Sequence, residues 1–136
     1  MKTLVIAHVA TLVAFVAIDF VWLSRMGDVL YRPVIGDALL PDFRLAPALV
    51  FYGIYTVGLV FFAVRPSLAG GDWTTALLNG AVLGFVAYAT YDLTNQATLK
   101  NWSTVLTLAE LAWGAVVSAT AAVIGHFATK ALTRIG

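Results

Sequence analysis

The chain contains no cysteine. Disulfides, thiol catalysis and cysteine-ligated metal or iron–sulfur centres are therefore excluded. Histidine is nearly missing as well. His8 and His126 are the whole supply, too few for a membrane di-iron oxidase or desaturase. Charge is scarce: only 11% of the residues are charged, where soluble domains carry about 25%. The net charge of +1 gives no electrostatic footprint for nucleic acid. No serine stands at a motif spacing from a histidine, and no glycine-rich phosphate loop is present. What fills the chain instead is apolar: 61% of its residues are hydrophobic, above the roughly 45–50% of soluble proteins. Neither a soluble domain nor a disordered segment fits that balance. The length of 136 residues points to a single domain.

A spanning helix needs about 20 mostly apolar residues, because each adds about 1.5 Å and the hydrocarbon core is about 30 Å thick. The sequence predicts four such spans, at about 3–23, 46–64, 73–93 and 103–129. The expected fold is an all-α integral membrane protein, an antiparallel four-helix bundle. The runs are continuous rather than alternating, which disfavours a β-barrel. A cleaved leader is not expected either, since the first apolar run is long and no Ala-x-Ala triplet falls in the first twenty residues. The first connection reads as a long loop from Ser24 to Leu45, punctuated by Pro33 and Pro41, with room for a short interfacial helix. The second, Arg65 to Asp72, reads as a tight turn. Trp22, Trp73 and Trp102 fall at predicted helix ends, where indole rings settle among headgroups.

Four spans place both termini on one side of the membrane. Lys2, Arg65, Lys130 and Arg134 then face Arg25, Arg32, Arg44 and Lys100, so the positive-inside rule ties. Asp28, Asp37 and Asp42 dilute the second group and lean the reading toward cytoplasmic termini in a bacterial cytoplasmic membrane.

Helices in lipid associate by close backbone approach and interhelical hydrogen bonds. Ala76, Gly80 and Gly84 recur every four residues, as do Gly114, Ser118 and Ala122, and Ala7, Ala10, Ala14 and Ala17 form an alanine seam. These faces suit tight packing, either within the chain or between copies.

Ionisable groups inside spans are costly and mark candidate sites. Asp19, Asp92 and Glu110 are three such acids, and antiparallel threading brings them to one membrane face. On a helical wheel Asp19 shares a face with Phe15 and Trp22, Asp92 with Tyr88, Tyr91 and Asn95, and Glu110 with Trp113 and Gly114. The expected site is a polar, aromatic-walled pocket of Asp19, Trp22, Tyr88, Tyr91, Asp92, Asn95, Glu110 and Trp113. Arg25, Arg32, Arg44 and Lys100 are the candidate counter-ions. The competing reading is structural, with the acids capping helices or pairing with loop arginines. Magnesium and calcium serve phosphate substrates or dedicated oxygen cages, so no metal is assigned. The cofactor, if there is one, stays unassigned.

Ile18-Asp19-Phe20-Val21-Trp22-Leu23 and the run from Ala87 through Tyr91-Asp92-Leu93-Thr94-Asn95 to Lys100-Asn101-Trp102 resemble a known family. Phe61-Phe62-Ala63-Val64-Arg65-Pro66 and Ala112-Trp113-Gly114 fit the same pattern. It is domain-of-unknown-function family 2177, small bacterial proteins predicted to cross the membrane four times. The resemblance implies a four-span membrane protein and draws attention to Asp19, Asp92, Asn95, Lys100 and Trp102. It supplies no activity, substrate or cofactor. Three functions fit the residues: a lipid- or small-molecule-binding or accessory protein, an oligomeric proton-coupled transporter using Asp92 or Glu110, and an enzyme acting on lipids with paired carboxylates. Whether the protein is an enzyme is left open. The partners in view are the bilayer, a lipid or small apolar ligand, a second copy, or another membrane protein.

Overall fold

A computed structural model describes residues 1–134. The chain is all-helical among these residues, and four helical runs are long and apolar enough to cross a membrane: Lys2–Ala38, Leu45–Ala69, Trp73–Thr98 and Thr104–Arg134. Within them the regular helices are α1 (Lys2–Met26), α2 (Arg32–Ile35), α3 (Leu45–Leu59), α4 (Arg65–Ala69), α5 (Trp73–Thr98) and α6 (Thr104–Arg134).

The long first loop is not there. The helix that begins at Lys2 runs to Ala38, and only residues 39–44 connect it to α3. Pro33 does not end the helix because a wide π-turn, Gly27–Tyr31, precedes it. Val60–Val64 forms the same kind of turn one residue before the second Arg-Pro pair, Arg65-Pro66. A proline in a helix removes one N–H and crowds the carbonyl four residues back. Widening the turn ahead of it relieves that crowding. The carbonyl four residues before Pro66 belongs to Phe62, and the Asn79 side-chain amide donates to it across the α3–α5 interface at 3.0 Å. Sequence reasoning treats each Arg-Pro as a breaker, whereas here both prolines lie inside helical runs.

The reversal between α4 and α5 needs two devices. Gly70 takes a φ of +157°, open to glycine and strained for other residues. Asp72 then caps α5, its carboxylate accepting from the Thr74 and Thr75 N–H groups while the Thr75 hydroxyl accepts from the Asp72 N–H. Bonds from the Thr74 hydroxyl and the Thr75 N–H hold the Asp72 carboxyl below the usual carboxylate range. A depressed folded-state value contributes stability above the unfolded value and loses it as pH falls. Acidification below about pH 4 is therefore expected to lower the melting temperature more for the wild type than for Asp72→Asn, which keeps a cap without the titration. Parallel melts across that pH range check this.

α6 is the central helix: 50% of its most apolar window is buried, against 22–28% for the other three runs. It packs against α1 on one side and α5 on the other. The α5–α6 contact is the small-residue seam, closed within the chain. A methyl group on Gly80 would stand 2.9 Å from the Ser118 carbonyl oxygen, and one on Gly84 would overlap the Gly114 carbonyl oxygen. α3 closes the bundle against α1 and, through its π-turn, against α5. Near the terminal face, the end of the bundle holding both chain ends, Ser67 and His126 are both buried. The Ser67 hydroxyl donates to the Val64 carbonyl at 2.6 Å and lies 2.8 Å from His126 Nδ1. With its proton committed to Val64, the serine accepts from the imidazole N–H, which pins α4 to α6.

Candidate functional site

The intramembrane polar groups gather toward the opposite end, the loop face, where residues 39–44 and 99–103 connect the helices. Asp19 is buried on α1. It accepts from the Tyr52 hydroxyl of α3 at 2.7 Å and from the Trp113 indole N–H of α6 at 3.1 Å. The Trp113 ring stacks on Trp22, with centroids 4.3 Å apart and planes at 8°. The Trp22 N–H donates at 3.0 Å to the Tyr31 hydroxyl, which in turn donates to Glu110 of α6. One chain of contacts thus joins two buried carboxylates through neutral aromatic donors. In a low-dielectric interior such partners supply what each carboxylate would otherwise draw from water.

Asp19, Trp22, Glu110 and Trp113 come together as one constellation. Tyr31 and Tyr52 join it, neither of them among the residues the sequence singles out. Tyr31 lies in a stretch that reads as loop, and Tyr52 in an uncharged span where an aromatic reads as core. The one signal for Tyr52 is its spacing from Tyr55, three residues on, which places both hydroxyls on one helix face. Tyr55 shares a hydrogen bond of 2.7 Å with Ser118, and Phe15 packs its ring against both tyrosines.

Asp92 stands apart. Its side chain is fully buried, and neither carboxylate oxygen has a hydrogen-bond partner among the described residues. Asn95 is half-buried one turn on. Tyr88 fits its ring against the bare Cα of Gly114. Tyr91 is exposed and meets Trp102 edge to face at 5.7 Å. The proposed counter-ions do not reach the acids. Among the described residues the one ion pair is Arg32 with Asp28 at 2.6 Å on the exposed surface, so Arg25, Arg44 and Lys100 leave Asp19, Asp92 and Glu110 to neutral donors or to none. No three metal-ligating side chains cluster among the described residues.

Two concavities adjoin this region. α3 and α5 pack together at the π-turn but part toward the loop face. Between them lies a cleft of about 330 Å³ lined by Phe51, Tyr55, Ala87, Tyr88, Tyr91 and Glu110. It is an apolar, aromatic opening with one carboxylate, of the size of small-ligand sites. A second cavity of about 620 Å³ lies at the loop face, between residues 32–38 and the loop of Leu99, Lys100, Asn101 and Trp102.

No curated protein and no solved structure matches this chain. A family profile does, over residues 4–127, and its description is "predicted membrane protein". That span covers nearly the whole chain, through the four helical runs, the acids and both concavities, and the protein therefore belongs to the DUF2177 family of membrane proteins.

Proposed function

We propose that this is a membrane-embedded binding protein of the bacterial cytoplasmic membrane. Its ligand is an amphiphile that comes sideways from the bilayer between α3 and α5 and sets a hydrogen-bond-donating end against Glu110. The observation that carries the reading is the cleft itself, with five apolar or aromatic side chains around a single acid. Its position also favours the reading. Phe51 and Tyr91 at its rim are exposed, so the opening faces lipid. Glu110 is tied through one oxygen to Tyr31, and its carboxylate lines the cleft. A ligand hydroxyl or amine would complete that shell. The aromatic walls favour an amine further, by cation–π attraction.

The test is native mass spectrometry of the detergent-purified protein, with lipid analysis of what is released. The wild type is expected to retain one chemically uniform amphiphile at defined stoichiometry. Loss of a hydrogen bond to a charged group costs about 1.5–3 kcal/mol, so Glu110→Gln is expected to weaken retention roughly ten- to hundredfold. Ala87→Phe, which fills the cleft and keeps the carboxylate in the chain, is expected to abolish it. A wild type that emerges empty, or equal retention by all three proteins, would sink the reading.

A further inference from the structure

The loop-face cavity carries chemistry that the cleft lacks. Arg32 lines one wall and Lys100 the other, with Asp37 as the one carboxylate on the lining. Asp28 engages Arg32 through Nε, which steadies the guanidinium and leaves its terminal N–H groups for another partner. Lys100 has no carboxylate within ion-pair distance among the described residues. Two cations lining one concavity suit a tetrahedral anion, and a guanidinium fork matches phosphate oxygens in particular.

Position adds the second argument. Trp102 lines the cavity, Tyr91 lines the cleft, and the two rings meet edge to face. One aromatic pair is therefore the partition between a cationic cavity at headgroup level and an apolar cleft at chain level. We infer that the loop-face cavity binds a phosphate group, and that the amphiphile of the cleft is a phosphate-bearing lipid whose phosphate lies at Arg32 and Lys100 and whose hydrogen-bond-donating group meets Glu110. This identification of the ligand class rests on the cleft reading, whereas the phosphate site itself stands independently. Asp37 opposes an anion from the same lining. Removing it is therefore expected to tighten binding, a sign that no general loosening of the fold would produce.

The experiment titrates the full-length protein in neutral detergent with three probes: dioleoyl phosphatidate, dioleoylglycerol and inorganic phosphate. Binding is read as a saturable rise in melting temperature. Cations near an anionic head contribute additively, so phosphatidate is expected to bind about tenfold or more tighter than dioleoylglycerol. Arg32→Gln combined with Lys100→Gln should erase that difference and leave dioleoylglycerol binding unchanged. Both side chains project from the surface, so the fold should tolerate the pair of substitutions. Asp37→Asn should tighten phosphatidate binding. If inorganic phosphate binds the wild type but not the double variant, while neither lipid binds, the phosphate site stands, its source is free phosphate, and the cleft reading fails. If phosphatidate and dioleoylglycerol bind alike, or the double variant binds phosphatidate as the wild type does, the phosphate site is overturned and the cleft reading survives.

Discussion

Replacing Gly84 by alanine is expected to cost about 3 kcal/mol or more, beyond the usual 1–3 kcal/mol of an overpacked core, because the obstacle is backbone rather than a rotatable side chain. The added methyl would overlap the Gly114 carbonyl oxygen and stand 2.5 Å from Ser118 Oγ. Neither α5 nor α6 can yield locally, since Gly80 holds the same seam one turn away, with the Ala119 Cα 3.0 Å from where its methyl would be. Gly114→Ala should be nearly as damaging, the new methyl running into the Tyr88 ring. Gly53→Ala and Gly58→Ala are the internal controls. A methyl at either meets nothing within 4 Å, and helix propensity makes these changes neutral or stabilising by up to about 1 kcal/mol. Thermal unfolding of the four variants in one detergent decides it. Should Gly84→Ala melt with the wild type while Gly53→Ala does not, the helices are not in contact along this seam.

The seam was legible from residue spacing because its cause is local. Small residues every fourth position lie on one helix face whatever surrounds them, and in lipid such a face has value only against another backbone. The four spans were legible for a similar reason, since apolar length is a property of the segment alone. What spacing could not say was whether the seam would close within the chain, a matter of how four helices share one central neighbour. α6 takes that place here because Gly114, Ser118, Ala122 and Gly125 let α5 and α1 approach from two sides.

The first connection misled for a physical reason. Pro33 with Asp28, Arg32 and Asp37 reads as polar loop, and the π-turn that admits the proline leaves no mark in composition. That one turn carries Tyr31 to Glu110, so the misreading also hid a member of the site. Similarly, a carboxylate near a helix end invites a loop arginine as partner. The bundle answers Asp19 instead with Tyr52 and Trp113, groups that can be desolvated at less cost than a guanidinium. Trp22, placed by the sequence both among interfacial anchors and in the aromatic pocket, stacks on Trp113. An indole at a helix end looks the same in sequence whether it anchors or packs.

Asp19 and Asp92 are expected to respond to the same substitution with opposite signs. Asp19→Leu leaves the Tyr52 hydroxyl and the Trp113 N–H without their acceptor, each at a cost of about 1–3 kcal/mol. Asp92→Leu leaves nothing unpaired, because the carboxyl it removes is fully buried and bonded to no described residue. Relief of an unsatisfied buried polar group should raise stability by about 1–3 kcal/mol, toward the lower figure if the site lies near the span end. Equilibrium unfolding of the two variants beside the wild type measures both. A destabilised Asp92→Leu would mean that the carboxyl is held by a donor in the folded state and serves the fold, as Asp19 does. A stabilised one would mean that the chain keeps a carboxyl in its α5 span against the preference of its own fold. The reason for it would then lie in what the side chain meets during function, and Asp92 would join Glu110 as the second acid to pursue in binding or proton-coupled assays.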